Sequence, residues 1–423
     1  MRILFVTQLT HLGGVDTFVS GLLHGWNSEN LSDQLIFRMN AKHPGLAIHR
    51  DDLGKLSDVE GLNFNLYTDD VISSGKLVLG APKRIWLRIY RGINARRGFH
   101  TLFRELAPER LVWIAGGYPG GDSLLTAFSV WNQLALGPPP ILNVHNLAVP
   151  VKGMRGWLSG EIDRRISKET GLIVAVSRAC ADSFRQRPHI WQRTPITFVY
   201  NGVKPVPGPH NKDAVRRSVR LHLGLSERAP LCLMLATYEP RKGHAFLLEA
   251  FSRVVKFCPD AHLLICGYGD AEDLARVGAW RDQFGLTDNV TICGYRDDRD
   301  ALLVAADLLV VPSQAFESFG LVCAEAFSAG LPVVATNIGG LSEVVEDGVG
   351  GYSVDAEDVG GFAGRISDLL TNPQLRTAQG ALGKARYETM FSLEKMVNFY
   401  TAIVRADAPA QTAHQIGNGL INR

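Results

Sequence analysis

The sequence predicts an α/β protein built on two doubly wound parallel sheets. Three observations predict it. Short unbroken apolar runs recur, as expected of strands buried on both faces; helix-length amphipathic stretches alternate with them; and 423 residues exceed what one core usually supports.

In the N-terminal half, Ile3–Val6, Arg110–Ala115, Ile141–Val144, Leu172–Val176 and Ile196–Val199 read as strands, with a helix predicted from Val15 to about Trp26. The Pro-, Gly- and Asn-rich stretch 201–213 reads as a linker, which sets the domains at 1–205 and 206–390. The C-terminal half is more regular. Strands are predicted over Leu231–Ala236, Ala261–Cys266, Val290–Ile292, Leu308–Val311 and Pro332–Ala335. Between them, helices are predicted over His244–Phe257, Ala271–Phe284, Asp297–Ala305 and Phe319–Ala329. A helix over Phe391–Arg405 follows from apolar spacing at Phe391, Met396, Phe399, Tyr400 and Ile403. The segment 406–423 has no period and is expected to be mobile.

The charges nearly cancel, 44 Lys and Arg against 42 Asp and Glu, so net charge offers no argument for nucleic acid as a partner. Six cysteines occur, none in a CxxC pair and most inside apolar runs, which reads as reduced buried thiols in a cytoplasmic protein. Met1–Thr10 reads as a first strand, because its apolar core is shorter than a secretory signal needs, and no run is long enough for a membrane span.

In an open parallel sheet, ligands bind beyond the carboxyl ends of the strands, and four predicted loops there carry suitable residues. Gly13 and Gly14 precede the first helix, where bare amides favour an anion; the alternative is an ordinary loop. Glu239-Pro-Arg-Lys-Gly243 sets Arg241 and Lys242 at a strand end, within reach of a pyrophosphate or simply in solvent. The segment from Ser313 to Glu325 is the most informative. Ser318 is a candidate N-cap, Glu317 stands just before the helix, and Glu325 lies inside it among Ala324, Ala326 and Phe327. A carboxylate there needs hydrogen-bond donors: ribose or sugar hydroxyls, or a structural salt bridge. Finally, Gly339 and Gly340 precede a further helix, and would widen the anion cradle.

Taken together, these residues resemble the retaining, GT-B-fold glycosyltransferases of family four (glycosyl transferases group 1). The resemblance runs over most of the chain. Its most specific part is the pair of glutamates separated by seven residues in Glu317-Ser-Phe-Gly-Leu-Val-Cys-Ala-Glu325, continued by Ala326–Thr336 and Gly339-Gly340. It implies two Rossmann-like domains facing each other across a cleft, with the last helix, 391–405, crossing back to the N-terminal domain. It implies transfer of a hexose from a UDP- or GDP-linked donor to an acceptor hydroxyl with retention, in surface polysaccharide or glycolipid assembly, without a metal or other cofactor. By the same resemblance Glu325 holds the ribose and Glu317 the donor sugar. Backbone amides at Phe319, Gly320, Leu321 and Val322 meet sugar and phosphate. Lys242 and Arg241 bind the pyrophosphate, which Gly14 approaches. His145 sits near the sugar's primary hydroxyl, and Tyr295 and Arg296 near the base. Where many members carry an arginine a few residues before the lysine, this chain reads Ala236-Thr237-Tyr238, so Arg241 is the substitute. The competing readings are a nucleotide-sugar epimerase or hydrolase, and a non-catalytic nucleotide-sugar-binding protein.

Asp298-Arg299-Asp300 matches the DxD of metal-dependent transferases in form only, since acids in a first helical turn complement the helix dipole. On the acceptor side, Lys83, Arg84, Arg88, Arg91, Arg96 and Arg97 form a basic stripe with Trp86 and other apolar residues at helical spacing. Such a segment suits an anionic membrane surface on the inner face of the cytoplasmic membrane, or a lipid-linked acceptor, or else a solvated helix.

Overall fold

The computed structural model describes residues 1–8, 13–28, 32–40, 62–67, 81–121, 123–150, 154–208 and 212–413. Within them the chain forms two compact units, Met1–Tyr200 with Glu394–Arg423, and Asn201–Leu393.

The first unit carries a seven-stranded, fully parallel sheet in the order β3-β2-β1-β4-β5-β6-β7. Its strands are β1 Arg2–Thr7, β2 Gln34–Asn40, β3 Leu62–Tyr67, β4 Arg110–Ala115, β5 Ile141–Val144, β6 Leu172–Ala175 and β7 Ile196–Phe198. β4, β5 and β6 are buried at every residue, which is why they read as unbroken apolar runs. β2 and β3 lay outside the prediction: Arg38 and Asn65 interrupt their apolar runs, and these two side chains hydrogen-bond to each other across the pair.

The second unit carries a six-stranded parallel sheet in the order β10-β9-β8-β11-β12-β13. The strands are β8 Leu231–Leu235, β9 His262–Cys266, β10 Val290–Cys293, β11 Leu308–Val311, β12 Val333–Thr336 and β13 Gly351–Val354. Helix His244–Phe257 buries Leu247, Leu248, Phe251 and Val254 in a core shared with Leu263, Ile265, Val310 and Ile366. Full burial of each such side chain contributes about 1.5–3 kcal/mol before conformational entropy is charged. β13 was also missed, because it opens on glycines: a Cβ at Gly351 would stand 1.8 Å from the Val333 carbonyl oxygen.

In each sheet the strand order reverses once, between β1 and β4 and between β8 and β11. Loops after those strands diverge and leave open ground between them.

The ends of the second unit differ from expectation. Asn201 and Val203 are buried, and Val203 exchanges backbone hydrogen bonds with Phe391 and Leu393, so the division falls at 200/201 rather than in the Pro-rich stretch beyond it. Phe391 ends a π-helical turn over Tyr387–Phe391 and packs edge-on to Phe319. The last helix, Leu393–Arg405, returns to the first unit, where Tyr400 meets Phe18 and Arg110 donates to the Val404 carbonyl. Residues 409–413 of the tail are helical and Ala413 is buried; 414–423 lie outside the described residues.

Candidate active site

The switch point between β8 and β11 brings two sequence-distant loops together. After β8 the chain makes a 3-10 turn at Pro240–Lys242 and leaves through Gly243 at φ 78°. Only glycine fits there: a Cβ would sit 1.9 Å from the Pro312 carbonyl oxygen, in the loop after β11. The same approach lets the Gln314 amide donate to the Arg241 carbonyl at 2.7 Å. The result is a charged cluster. Lys242 Nζ lies 2.5 Å from Glu317 Oε2, to which Ser313 Oγ also donates at 3.3 Å. Arg241 Nη1 is 3.7 Å from the same carboxylate, and its guanidinium lies over the Phe316 ring at 4.9 Å and pairs with Glu239 at 2.6 Å. That pairing, with the Thr237 hydroxyl, holds the Glu239 carboxyl below its usual range against the opposing effect of burial. Arg241 therefore stands beside Lys242 at the Glu317 carboxylate.

The following helix runs over Leu321–Ser328 and is capped by Gly320 at φ 89°, not by Ser318 as expected. Phe319 is accordingly not helical; it is buried. The amides of Leu321 and Val322 occupy the first turn, where helix geometry leaves N–H groups without intrahelical partners. Glu325 is 5% exposed, and burial raises its pKa against the pull of a neighbouring guanidinium. That guanidinium is Arg299, whose Nη1 stands 2.9 Å from Glu325 Oε1. Of the second glycine pair, Gly340 donates its amide to the Glu317 carbonyl at 2.8 Å, so it braces the Glu317 loop from within.

Tyr295 stacks on Tyr268 at 4.2 Å beyond β9 and β10, and Arg296 pairs with Asp298. Asp298 and Arg299 of the DxD-like triplet are thus engaged by Arg296 and Glu325, and among the described residues no group of three or more His, Cys, Asp or Glu is arranged to hold a metal ion.

In the first unit, helix Gly14–Ser28 begins as expected, but the Gly13 amide donates to the Asp16 carboxylate at 3.1 Å, an anion supplied by the chain itself. His145, after β5, is nearly buried beneath Phe18, with ring centroids 4.4 Å apart. Burial lowers its pKa to about 3. Its Nε2 lies 2.6 Å from Asn143 Oδ1, and Asn143 Nδ2 donates to Tyr400 at 2.7 Å and to the Val174 carbonyl at 3.0 Å. Asn143, Tyr400 and Arg299 escaped the sequence reading. The first had a visible signal, a lone amide inside an apolar strand.

Of the basic stripe, Arg96 and Arg97 are exposed on helix Ala81–Leu106, and Arg96 donates to Gln133. The side chains of Lys83, Arg84, Trp86, Arg88 and Arg91 lie outside the described residues. Among the described residues no helix is long and apolar enough to cross a membrane. All six cysteines are free thiols.

Residues 216–386 match the family described as Glycosyl transferases group 1. The chain is 32% identical over 214 residues to a phosphatidyl-myo-inositol mannosyltransferase of Mycobacterium leprae, covering 49% of this chain and 56% of that one. It is 33% identical over 292 residues to a D-inositol 3-phosphate glycosyltransferase of Segniliparus rotundus, covering 65% and 63%. It thus spans somewhat more than half the length of these two relatives. In fold it is similar to the Anabaena HepE protein solved with UDP, at a TM-score of 0.72 and 18% identity, over 95% of this chain and 98% of that one. The two sheets are those of the GT-B fold. The segment 216–386, which holds Lys242, Glu317 and Glu325, is thus similar to the glycosyl transferases group 1 family.

Proposed function

We propose that the chain is a retaining hexosyltransferase that takes a hexose from a UDP- or GDP-linked donor and passes it to an acceptor hydroxyl. The observation that carries this reading is the convergence of Lys242, Arg241 and Glu317 at the β8/β11 switch point. Breaking a sugar–phosphate bond leaves positive character on the sugar ring and negative charge on the departing diphosphate. Lys242, Arg241 and the first-turn amides after Gly320 supply positive charge for that leaving group, which leaves a metal no necessary part. With the diphosphate bound, Lys242 exchanges Glu317 for phosphate oxygen, and the freed Glu317 accepts from sugar hydroxyls. Glu325, paired with Arg299, accepts from the ribose. The stacked Tyr268 and Tyr295 border the base, with Arg296 beside them. The binding of UDP by the Anabaena protein supports a nucleotide donor. The relatives named for phosphatidyl-myo-inositol and D-inositol 3-phosphate support an acceptor bearing phosphate, in glycolipid or surface polysaccharide assembly.

The test is a thermal-shift screen with UDP, GDP, ADP and their hexose conjugates, since a ligand that favours the native state raises its stability. One nucleotide series should stabilise the protein, and Lys242→Ala should abolish the shift. No stabilisation by any of them, or an unchanged shift in the variant, would overturn the donor assignment. Retention and metal independence are read together by following the anomeric signal of the product in EDTA. Donor turnover without acceptor would favour an epimerase or hydrolase. The exposed Arg96 and Arg97 support docking at an anionic membrane surface, which sedimentation with anionic and neutral vesicles checks.

A further inference from the structure

β9 and β10 end in the same tripeptide, Cys266-Gly-Tyr268 and Cys293-Gly-Tyr295. The strands pair in parallel with Cys266 opposite Cys293, so both side chains leave one face of the sheet at the strand spacing of about 4.8 Å. Two residues further on, the Tyr268 and Tyr295 rings stack at 4.2 Å. The Cys266 thiol donates to the Cys293 sulfur, and that contact, with Arg296 nearby and burial opposing, holds the Cys293 thiol below its ordinary value. The same hydrogen bond, with burial, pushes the Cys266 thiol up. Cys266 is buried, whereas Cys293 is only partly so. The pair therefore sets an attacking sulfur within reach of solvent and a resolving sulfur directly behind it. Of the other four thiols, Cys180, Cys232 and Cys323 are buried, and Cys258 follows helix His244–Phe257.

We propose that Cys266 and Cys293 are a redox-active dithiol whose oxidation to a disulfide weakens nucleotide binding at the stacked Tyr268 and Tyr295. The effect on binding rests on the reading that these tyrosines border the base; the disulfide does not. With a peroxide as oxidant, the Cys293 thiolate attacks one oxygen, the O–O bond breaks, hydroxide leaves, and Cys293 becomes a sulfenic acid. The Cys266 sulfur then attacks the Cys293 sulfur, the S–O bond breaks, and the Cys266 proton leaves with that oxygen as water. The two thiols lose two electrons to the peroxide, and a dithiol reductant returns them by two thiol–disulfide exchanges. Closing the bond draws the Cβ atoms from about 4.8 Å toward about 3.8 Å. The loops beyond cannot absorb this freely. Gly267 is wedged against the Ala236 carbonyl, where a Cβ would stand at 1.7 Å. Tyr238 donates its hydroxyl to the Cys293 carbonyl at 2.6 Å and its amide to the Tyr268 carbonyl at 2.8 Å, so a shift at the cysteines reaches the tyrosines.

Two readouts on the full chain test this. After hydrogen peroxide, non-reducing peptide mapping should find the Cys266 and Cys293 peptides linked, with the link lost in dithiothreitol. The link should form in Cys258→Ser and not in Cys293→Ser. No oxidation, Cys293 oxidised without a link to Cys266, or a link through another cysteine would overturn the dithiol, and the unmodified protein alone decides this. Whichever of UDP and GDP binds the reduced protein should bind the oxidised protein about fivefold more weakly or worse, the lower end of a lost base–aromatic stack. Dithiothreitol should restore the affinity, and Cys293→Ser should bind equally before and after peroxide. Equal affinity in the two states of the unmodified protein would overturn the regulation and leave the disulfide standing. Binding of neither nucleotide by the reduced protein would overturn the donor reading and the regulation with it, while the peptide map still decides the dithiol.

Discussion

After β8 and β11 of the six-stranded sheet, polar side chains are held by charge: Lys242 and Arg241 on Glu317, Arg299 on Glu325. After β5 of the seven-stranded sheet, His145 is held by neutral hydrogen bonds through Asn143 to Tyr400 and Val174. Both lie at strand carboxyl ends of parallel sheets, so topology does not explain the difference. The chemistry each edge is suited to receive does. Ion pairs leave cations that a diphosphate can recruit, at the cost of sensitivity to salt. Neutral hydrogen bonds hold the ring by geometry and leave little for salt to screen. Buried charge as such does not distinguish the units, for each holds an Arg–Asp pair away from these residues, Arg187–Asp163 in one and Arg220–Asp307 in the other.

The largest expected effect separates structural charge from ligand charge. Arg220 is almost fully buried, donates to the Ala305 carbonyl and Asp307, and shares that carboxylate with the Leu231 amide. Arg220→Ala takes the buried guanidinium from Asp307, leaves it the part-exposed Arg216 at 2.7 Å, empties a large buried side-chain volume, and should cost about 3–5 kcal/mol of unfolding free energy. Lys242→Ala should instead cost about 2–3 kcal/mol of nucleotide affinity, the value of a lost hydrogen bond to a charged group or slightly less. If Lys242→Ala unfolds the protein while Arg220→Ala leaves denaturant unfolding unmoved, the comparison is broken.

Acid should act next in size, through both units. Burial lowers His145 to about 3, and burial with Arg276 and Lys242 nearby lowers His244 to about 4. With folded values below the unfolded value near 6.5, the unfolded chain takes up the proton first. The stability these rings contribute is full above pH 6.5 and falls as pH drops toward their folded values, by about 2 kcal/mol each at pH 5. Melting temperature against pH should flatten by comparable amounts in His145→Gln and His244→Gln.

Tyr400→Phe should have the smallest effect, about 0.5–1.5 kcal/mol, since it removes one hydrogen bond and keeps the ring against Phe18. The Val174 carbonyl still orients Asn143, so the Asn143–His145 hydrogen bond should persist while the melting temperature falls slightly. Loss of that hydrogen bond would show that Tyr400, rather than the sheet, sets the amide.

Much of the second unit was legible because its helices and strands follow local periodicity and its loops break at glycine and proline. Helix His244–Phe257 and strand Leu308–Val311 fall where the pattern put them. The cap of helix Leu321–Ser328 moved from Ser318 to Gly320, a left-handed residue that ends the loop two positions later. Arg299 read as part of a dipole-complementing triplet, because its partner Glu325 is 26 residues away in sequence.

The sequence by itself determined the fold class, five of the six sheet-forming runs of the second unit and the two glutamates separated by seven residues. These are properties of local spacing and side-chain size. Only the tertiary structure decided that Lys242 meets Glu317, that Gly13 and Gly340 spend their amides within the chain, and that Asn143 and Tyr400 orient His145. Each of those joins groups whose hydrogen-bonding roles are known from chemistry but whose choice of partner depends on strands and helices brought together from afar.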